Sequence, residues 1–293
     1  MIIDIILFIT GFICIIIASI SDIKTREVPD FVSYLMIFSG LSLRALHAIS
    51  YNELNYFILA IINLVIFFII ANLLYYTKQW GGGDTKLLIG ISVVFSTYPN
   101  FLLNYFNPRL NEFSFPLTIL INVLLIGAVY SIIFAIILAI KNKKKFIQEF
   151  LKINKRTKYL KLASLIISIS IIIISLTIIQ EKTLQLIYIL LSFLLILLYY
   201  FGIAMKAVEN VCMYKIIPVE KLQEGDWIQN NLYYKNKLIY KKSFIGLTKK
   251  QLELIKSSKI KKVLIKEGIP FTSVFLISFI ISIALGDLFL YII

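Results

Sequence analysis

Long apolar runs separated by short polar breaks govern the pattern of this chain. Stretches of about 18 or more apolar residues recur along it, each long enough to cross a hydrocarbon core of roughly 30 Å. Eight candidate spans result, at about 2–20, 31–49, 56–76, 86–106, 116–140, 162–180, 184–205 and 270–292. The first run carries Asp4 where a removable signal peptide would have a basic region, and no small-residue cleavage site follows it, so it is expected to remain as a span. One region breaks the pattern. Residues 206–268 are polar, Lys-rich and mixed in period. Within and beside them, 213–219 and 261–266 alternate in the manner of short strands. Thr248-Lys-Lys-Gln251 has the form of a capping box opening a short helix through Ile255, and Glu224-Gly225-Asp226 predicts a turn.

The expected fold is an all-α polytopic membrane protein of about eight transmembrane helices, with a small α+β insert before the last helix. Residues 1–205 would form a membrane domain of seven spans, 206–268 the insert and 269–293 a C-terminal transmembrane helix. At about 60 residues the insert is near the lower limit for independent stability, so packing on the membrane domain is expected.

Composition supports that class: 59% of residues are hydrophobic and 16% charged, where soluble domains run nearer 25% charged. Charge then orients the spans. If the first runs outside to inside, 27 of the 30 Lys and Arg fall on the inner side, with nine in 141–161 and fourteen in 206–268. Only Arg109 and Lys182 fall outside, and Arg44 lies within the second span. The rule weighs short loops, and these alone give 13 basic residues against 2. Both termini are therefore expected outside and the insert in the cytoplasm. The basic inner face suits anionic membrane lipids as partners. No recognisable nucleic-acid module accompanies the charge, so no nucleic acid is expected.

Elimination narrows the chemistry. One His and two Cys cannot supply a zinc hydrolase, and no HExxH is present, so neither metal nor cofactor is expected. His47 has no GxSxG-type elbow to serve and is expected to be a tolerated polar residue near the outer interface. Cys14 falls mid-span and Cys212 in the cytoplasm, so no disulfide is expected. Gly81-Gly-Gly-Asp-Thr-Lys86 lacks the Walker A pattern. Carboxylates remain.

Two of the sixteen acids stand apart. Asp22 directly follows the first apolar run, in Ser21-Asp-Ile-Lys-Thr-Arg-Glu-Val-Pro29, and Asp84 directly precedes the fourth, behind Gly81, Gly82 and Gly83. The topology puts both on the cytoplasmic side at similar depth, although 62 residues separate them. Ionisable groups at such edges are costly to bury and are often functional. Paired carboxylates can perform peptide hydrolysis: one deprotonates a water while its protonated partner donates to the scissile carbonyl, and two close carboxylates share a proton because both cannot ionise cheaply. The glycines would let an extended peptide backbone approach Asp84. At a wet edge neither acid has an assigned structural partner, so replacing either is expected to cost little stability.

These segments resemble a known family. Asp22-Ile-Lys-Thr-Arg-Glu-Val-Pro-Asp30 is similar to the Asp-x-x-x-x-x-[Ile/Val]-Pro-[Asn/Asp] stretch of the type IV prepilin peptidases, and Gly81-Gly-Gly-Asp-Thr-Lys-Leu-Leu88 to their GxGD motif. Gly246-Leu-Thr-Lys-Lys-Gln-Leu and Lys266-Glu-Gly-Ile-Pro-Phe271, with a last span ending Leu285-Gly-Asp287, resemble the archaeal preflagellin and prepilin peptidase branch. The resemblance implies a membrane aspartyl endopeptidase in which Asp22 and Asp84 are catalytic and Gly81, Gly82 and Gly83 form the motif turn. It implies leader-bearing pilin or archaellin precursors as partners, with a short basic leader, a Gly at the cut and then an apolar helix. No Cys-x-x-Cys region is present, so the methylation performed by bacterial members is not expected. Residues 141–205 match none of its motifs.

Glu27 and Asp30, beside Asp22, could attract basic leader residues, an effect of about 1 kcal/mol at an exposed site. Lys86 could bind a lipid phosphate, favour ionised Asp84, or simply anchor the helix end. Pro29 would set the start of the second span. Asp287 lies apart from the pair. A secondary transporter or ion channel using membrane-edge carboxylates is the competing class, though both acids lie at one face and no inverted repeat is visible. A catalytically silent scaffold is the third.

Overall fold

The structure, a computed structural model, describes residues 2–77, 79–111, 114–234, 237–243, 246–258 and 260–291. Its helices are α1 (Ile2–Thr25), α2 (Asp30–Tyr51), α3 (Leu54–Tyr76), α4 (Gly82–Val94), α5 (Phe115–Lys141), α6 (Lys143–Arg156), α7 (Lys158–Ile178), α8 (Lys182–Val208), α9 (Lys249–Lys256) and α10 (Thr272–Ala284). The chain forms two compact units, one of residues 1–132 with 269–293 and the other of residues 133–268.

The first unit is helical. On α1 the side chains of Ile2, Ile6, Ile9, Ile13, Ile17 and Ile20 are exposed at spacings of three and four, an apolar stripe suited to lipid. The opposite face (Leu7, Gly11, Cys14, Ile15, Ala18, Ser19 and Asp22) is buried. Helix α4 is buried on all sides from Leu87 to Val94 and packs against α1, α2 and α3. Close approach to α2 depends on two small residues. A Cβ on Gly40 would lie 2.8 Å from Val93 Cγ1, and one on Gly90 would lie 3.0 Å from Met36 Cβ.

Among the described residues six helices are long and apolar enough to cross a membrane: 2–25, 30–51, 54–76, 115–141, 158–178 and 182–213. The expected count of eight is thus not met. The run expected at 86–106 is broken, because α4 ends at Val94 and Pro99 opens a 3-10 turn over Asn100–Asn104. The last run stops at Ala284, where Gly286 turns the chain at φ +85° with Arg109 O only 2.1 Å from where a Cβ would stand. Each of α4 and α10 has 13 residues, about 20 Å of helix against a core of roughly 30 Å.

Arg44 explains the end of α4. Its side chain is 1% exposed; Nε donates to Val93 O at 3.2 Å and Nη2 to Val94 O at 3.0 Å, satisfying carbonyls that the helix end leaves open. Its guanidinium also lies 4.2 Å from the Tyr56 ring centroid, and Tyr56 donates to Asp4 at 2.5 Å. Arg44→Met should therefore lower stability by on the order of 2 kcal/mol, since two buried carbonyls lose their donor. Thermal unfolding in detergent checks this; an unchanged Tm would mean that another donor takes over.

In the second unit α7 and α8 form an antiparallel hairpin pinned by small polar residues, with Ser168 Oγ donating to Ser192 O at 3.0 Å and Ser175 Oγ to Gln185 O at 3.1 Å. The basic connector expected at 141–161 is largely helical. Helix α6 sets Phe146, Phe150 and Ile153 on a partly buried face, leaving its lysines in solvent.

The α+β expectation for the insert holds in its particulars. Strand β1 (Tyr214–Pro218) pairs antiparallel with β5 (Lys262–Lys266) in the register Tyr214↔Lys266, and β2 (Trp227–Ile228) takes the other edge of β5. Strands β3 (Leu232–Tyr234) and β4 (Lys237–Tyr240) form a separate hairpin. The capping box is formed in full at α9: Gln251 N donates to Thr248 Oγ1 and Thr248 N to Gln251 Oε1. Gly225 makes the expected turn at φ +92°. Val219, Leu222, Ile228, Tyr240, Leu247, Ile255, Val263 and Ile265 close a small core.

Candidate active site

Helical periodicity places Asp22. It follows Ile15, Ala18 and Ser19 by seven, four and three residues, so it points inward with them, and it is 7% exposed. The helix continues through Asp22 to Thr25, and Arg26 then ends it with φ +63°. After this turn Val28 and Pro29 lead into α2, with Pro29 at its N-cap.

Asp84 sits in the first turn of α4, three, four and seven residues before the buried Leu87, Leu88 and Ile91. Gly81 is the N-cap in extended conformation, and its carbonyl accepts from Thr85 N at 3.1 Å and Thr85 Oγ1 at 2.8 Å. The triple glycine has a packing reason. A Cβ on Gly83 would come within 3.0 Å of Val28 Cβ and Cγ2, so the Val28 turn rests directly on the motif. On Gly81 a Cβ would stand 3.4 Å from Asp84 Oδ2, whereas Gly82 is exposed.

The two acids meet at a residue from the far end of the chain. Thr272, fully buried at the start of α10, donates its backbone N–H to Asp22 Oδ2 at 2.9 Å and its hydroxyl to Asp84 Oδ1 at 3.2 Å. Its carbonyl accepts from Ser19 Oγ at 3.2 Å. Aromatic packing anchors this helix start: Trp80, immediately before the glycines, lies 5.8 Å from the Phe271 ring and 5.3 Å from the Phe275 ring. Tyr130 on α5 donates to Pro270 O at 3.1 Å.

These contacts overturn the expectation that both acids sit in water without structural partners. Part of Asp84 is accessible, yet its carboxyl is crowded by protein and pushed up to about 7. Burial is the larger cause and the charge of Asp22 the second, while the Thr272 hydroxyl and the Gly81 backbone pull the other way. The arrangement can hold one proton between two carboxylates at neutral pH.

The other expected contacts lie around this centre. Asp30 Oδ1 and Lys86 Nζ form an exposed ion pair at 2.6 Å, which ties Lys86 to the start of α2. Glu27 is half-buried in the turn before Val28. His47 Nε2 lies 3.1 Å from Glu53 Oε2. Asp287 is 2% exposed beyond the opposite end of α10, where it accepts from Asn111 at 2.9 Å and from Phe289 N at 2.9 Å, closing the turn at Gly286. Cys14 and Cys212 are free. Among the described residues no three His, Cys, Asp or Glu side chains converge as metal ligands.

Residues 9–139 match the type IV leader peptidase family. That match contains Asp22 and Asp84, whereas α10 lies outside it. The chain is similar to a preflagellin peptidase of Methanocaldococcus jannaschii, 28% identical over 163 residues that cover 52% of this chain and 69% of that protein. It is also similar to the prepilin peptidase EppA of Methanothermobacter thermautotrophicus, 25% identical over 139 residues, 46% of this chain and 36% of the other. No solved structure matches.

Sequence reasoning singled out Asp22, Asp84 and the three glycines, all inside the matched segment, and did not single out Thr272. The available signal was slight. The last apolar run opens on Pro270-Phe-Thr272, a polar residue at a helix start, and the motif quoted before that run ends at Phe271.

Proposed function

We propose that this protein is a membrane-embedded aspartyl endopeptidase that removes short basic leader peptides from pilin-like or archaellin precursors at the cytoplasmic membrane face. The observation that carries it is that Asp22 and Asp84, both inside the segment that matches the leader peptidases, meet on Thr272.

The chemistry follows from the pair. The ionised carboxylate takes a proton from water as its oxygen attacks the scissile carbonyl, and the protonated partner donates to the carbonyl oxygen. Collapse of the tetrahedral intermediate breaks the C–N bond, and a carboxyl proton passes to the leaving amine. No metal or cofactor enters. Exposed Asp30 and half-buried Glu27 would draw the basic leader towards the acids, with a leader lysine competing against Lys86 for Asp30. Membrane lipids would hold the precursor's apolar helix in the same layer as α1 to α3.

Purified protein in liposomes, supplied with a leader-bearing precursor, should release the leader as a single peptide detectable by mass, and the Asp84→Asn protein should release none. Failure of the wild type on both pilin-like and archaellin precursors would sink the proposal. The orientation has its own test. In a background with Cys14 and Cys212 replaced, a cysteine at exposed position 148 on α6 should be labelled by an impermeant reagent only after cells are opened. Labelling of intact cells would reverse the topology and the side on which leaders are cut.

A further inference from the structure

We propose that Thr272 is a positioning residue of the dyad, its backbone amide holding the Asp22 carboxyl and its hydroxyl holding the Asp84 carboxyl in the geometry that proton exchange needs. This rests on the aspartyl peptidase reading and adds to it a residue outside the segment that matches the leader peptidases.

One residue touches both carboxylates, and it does so with two chemically different groups. The amide N–H can only donate, and such a bond is stronger to an ionised carboxylate than to a neutral acid. Its contact at 2.9 Å therefore fixes an Asp22 oxygen, Oδ2, that can only accept there. The hydroxyl both donates and accepts. At 3.2 Å from Asp84 Oδ1 it can donate to an ionised Asp84 or turn to accept from a protonated one, so it serves both states of an acid that must lose and regain a proton. The asymmetry lies in the protein, before any substrate is present.

Thr272 is held firmly enough to impose this. It is fully buried, its carbonyl receives Ser19 Oγ, and the preceding turn is fixed by Tyr130 at Pro270 and by the packing of Phe271 on Trp80. A Cβ on Gly127 would lie 2.7 Å from Phe271 Cζ, so α5 also presses on this turn. The ionisable groups around the pair are Asp22 itself and Arg26 from the first helix and its end, Asp84 from α4, and Tyr130 from α5, which interacts with both Arg26 and Asp22. Packing alone gives no reason for a hydroxyl here, because valine has the same shape.

The test compares Thr272→Val, Thr272→Ala and Thr272→Ser in the full-length protein, cleaving a leader-bearing precursor peptide across pH, with Asp84→Asn alongside. Loss of the hydroxyl in Val or Ala should lower kcat roughly 10- to 100-fold through misplaced acid geometry while KM stays within about twofold. The hydroxyl draws Asp84 towards ionisation, so its loss makes the acid hold its proton to higher pH. The alkaline limb of the profile should then move up by about half to one unit, and Thr272→Ser should restore both rate and limb. Wild-type rate and profile in Val and Ala, with Asp84→Asn inactive, would overturn the role of Thr272 and leave the peptidase reading standing. Equal loss at every pH without rescue by Ser would reduce Thr272 to a packing residue and also overturn it. Cleavage by Asp84→Asn would overturn the peptidase reading itself.

Discussion

Asp22→Asn and Asp84→Asn are each expected to abolish leader cleavage, and the double variant should be no worse than either single one. An amide can neither accept a proton from water nor cycle one through the leaving group, so one substitution removes the shared proton on which both half-reactions depend. Groups acting as a unit lose their combined effect at the first deletion, hence the expected non-additivity. The geometry sharpens this expectation, because Thr272 contacts an oxygen of each acid and Asn retains a carbonyl oxygen to accept from it. The variants should therefore keep the local packing and lose the chemistry. Asp30→Asn is the contrasting control. It removes one exposed ion pair with Lys86 at 2.6 Å, of the kind contributing about 0.2–1 kcal/mol, and should change KM for a basic leader more than kcat. The wild-type pH profile should be bell-shaped, with limbs that belong to the pair. Metal chelators should leave the rate unchanged. A rate near wild type in either Asn variant would end the aspartyl mechanism and bring the transporter class forward.

Much of this site was legible along the chain because local rules place its parts. Asp22 stood out because it directly follows the first apolar run, whereas its place on the inward face of α1 beside Ser19 and Ala18 was not foreseen. The GGGD turn and the Val28-Pro29 turn stood out as motifs, and the structure supplies the reason that they go together: Val28 rests where Gly83 has no side chain. The α9 capping box and the β1–β5 pair were readable for the same reason, being encoded within a few residues or by simple alternation. What was not readable depends on distant partners. Helix α4 ends at Val94 because Arg44, about fifty positions earlier, caps its carbonyls, and an apolar run gives no sign of that. The apolar face of α6 was hidden by the lysines around it. Thr272 was missed because its two partners lie 250 and 188 positions away.

Asp84→Asn is also expected to make the protein more stable, and increasingly so from pH 5 to pH 8. Burial and the neighbouring Asp22 raise the Asp84 carboxyl from its ordinary value of 3.8 to about 7 in the folded protein. Between those values the folded state binds more protons than the unfolded state, so stability falls as pH rises through the window and levels off above about pH 7. Asn carries no titrating proton and escapes that loss. Such a rise corresponds to on the order of 3 kcal/mol once relaxation is allowed for, enough to separate the two thermal transitions clearly at pH 8 and hardly at all near pH 4. Every other titrating group is common to both proteins and cancels in the difference, apart from Asp22, whose repulsion by ionised Asp84 is part of the same effect. Thermal unfolding of both proteins in one detergent, from pH 4.5 to 9, measures it. A difference in Tm that stays constant across that range would mean that Asp84 is already ionised in the folded protein at low pH, and the assignment of the shared proton to Asp84 would fall with it.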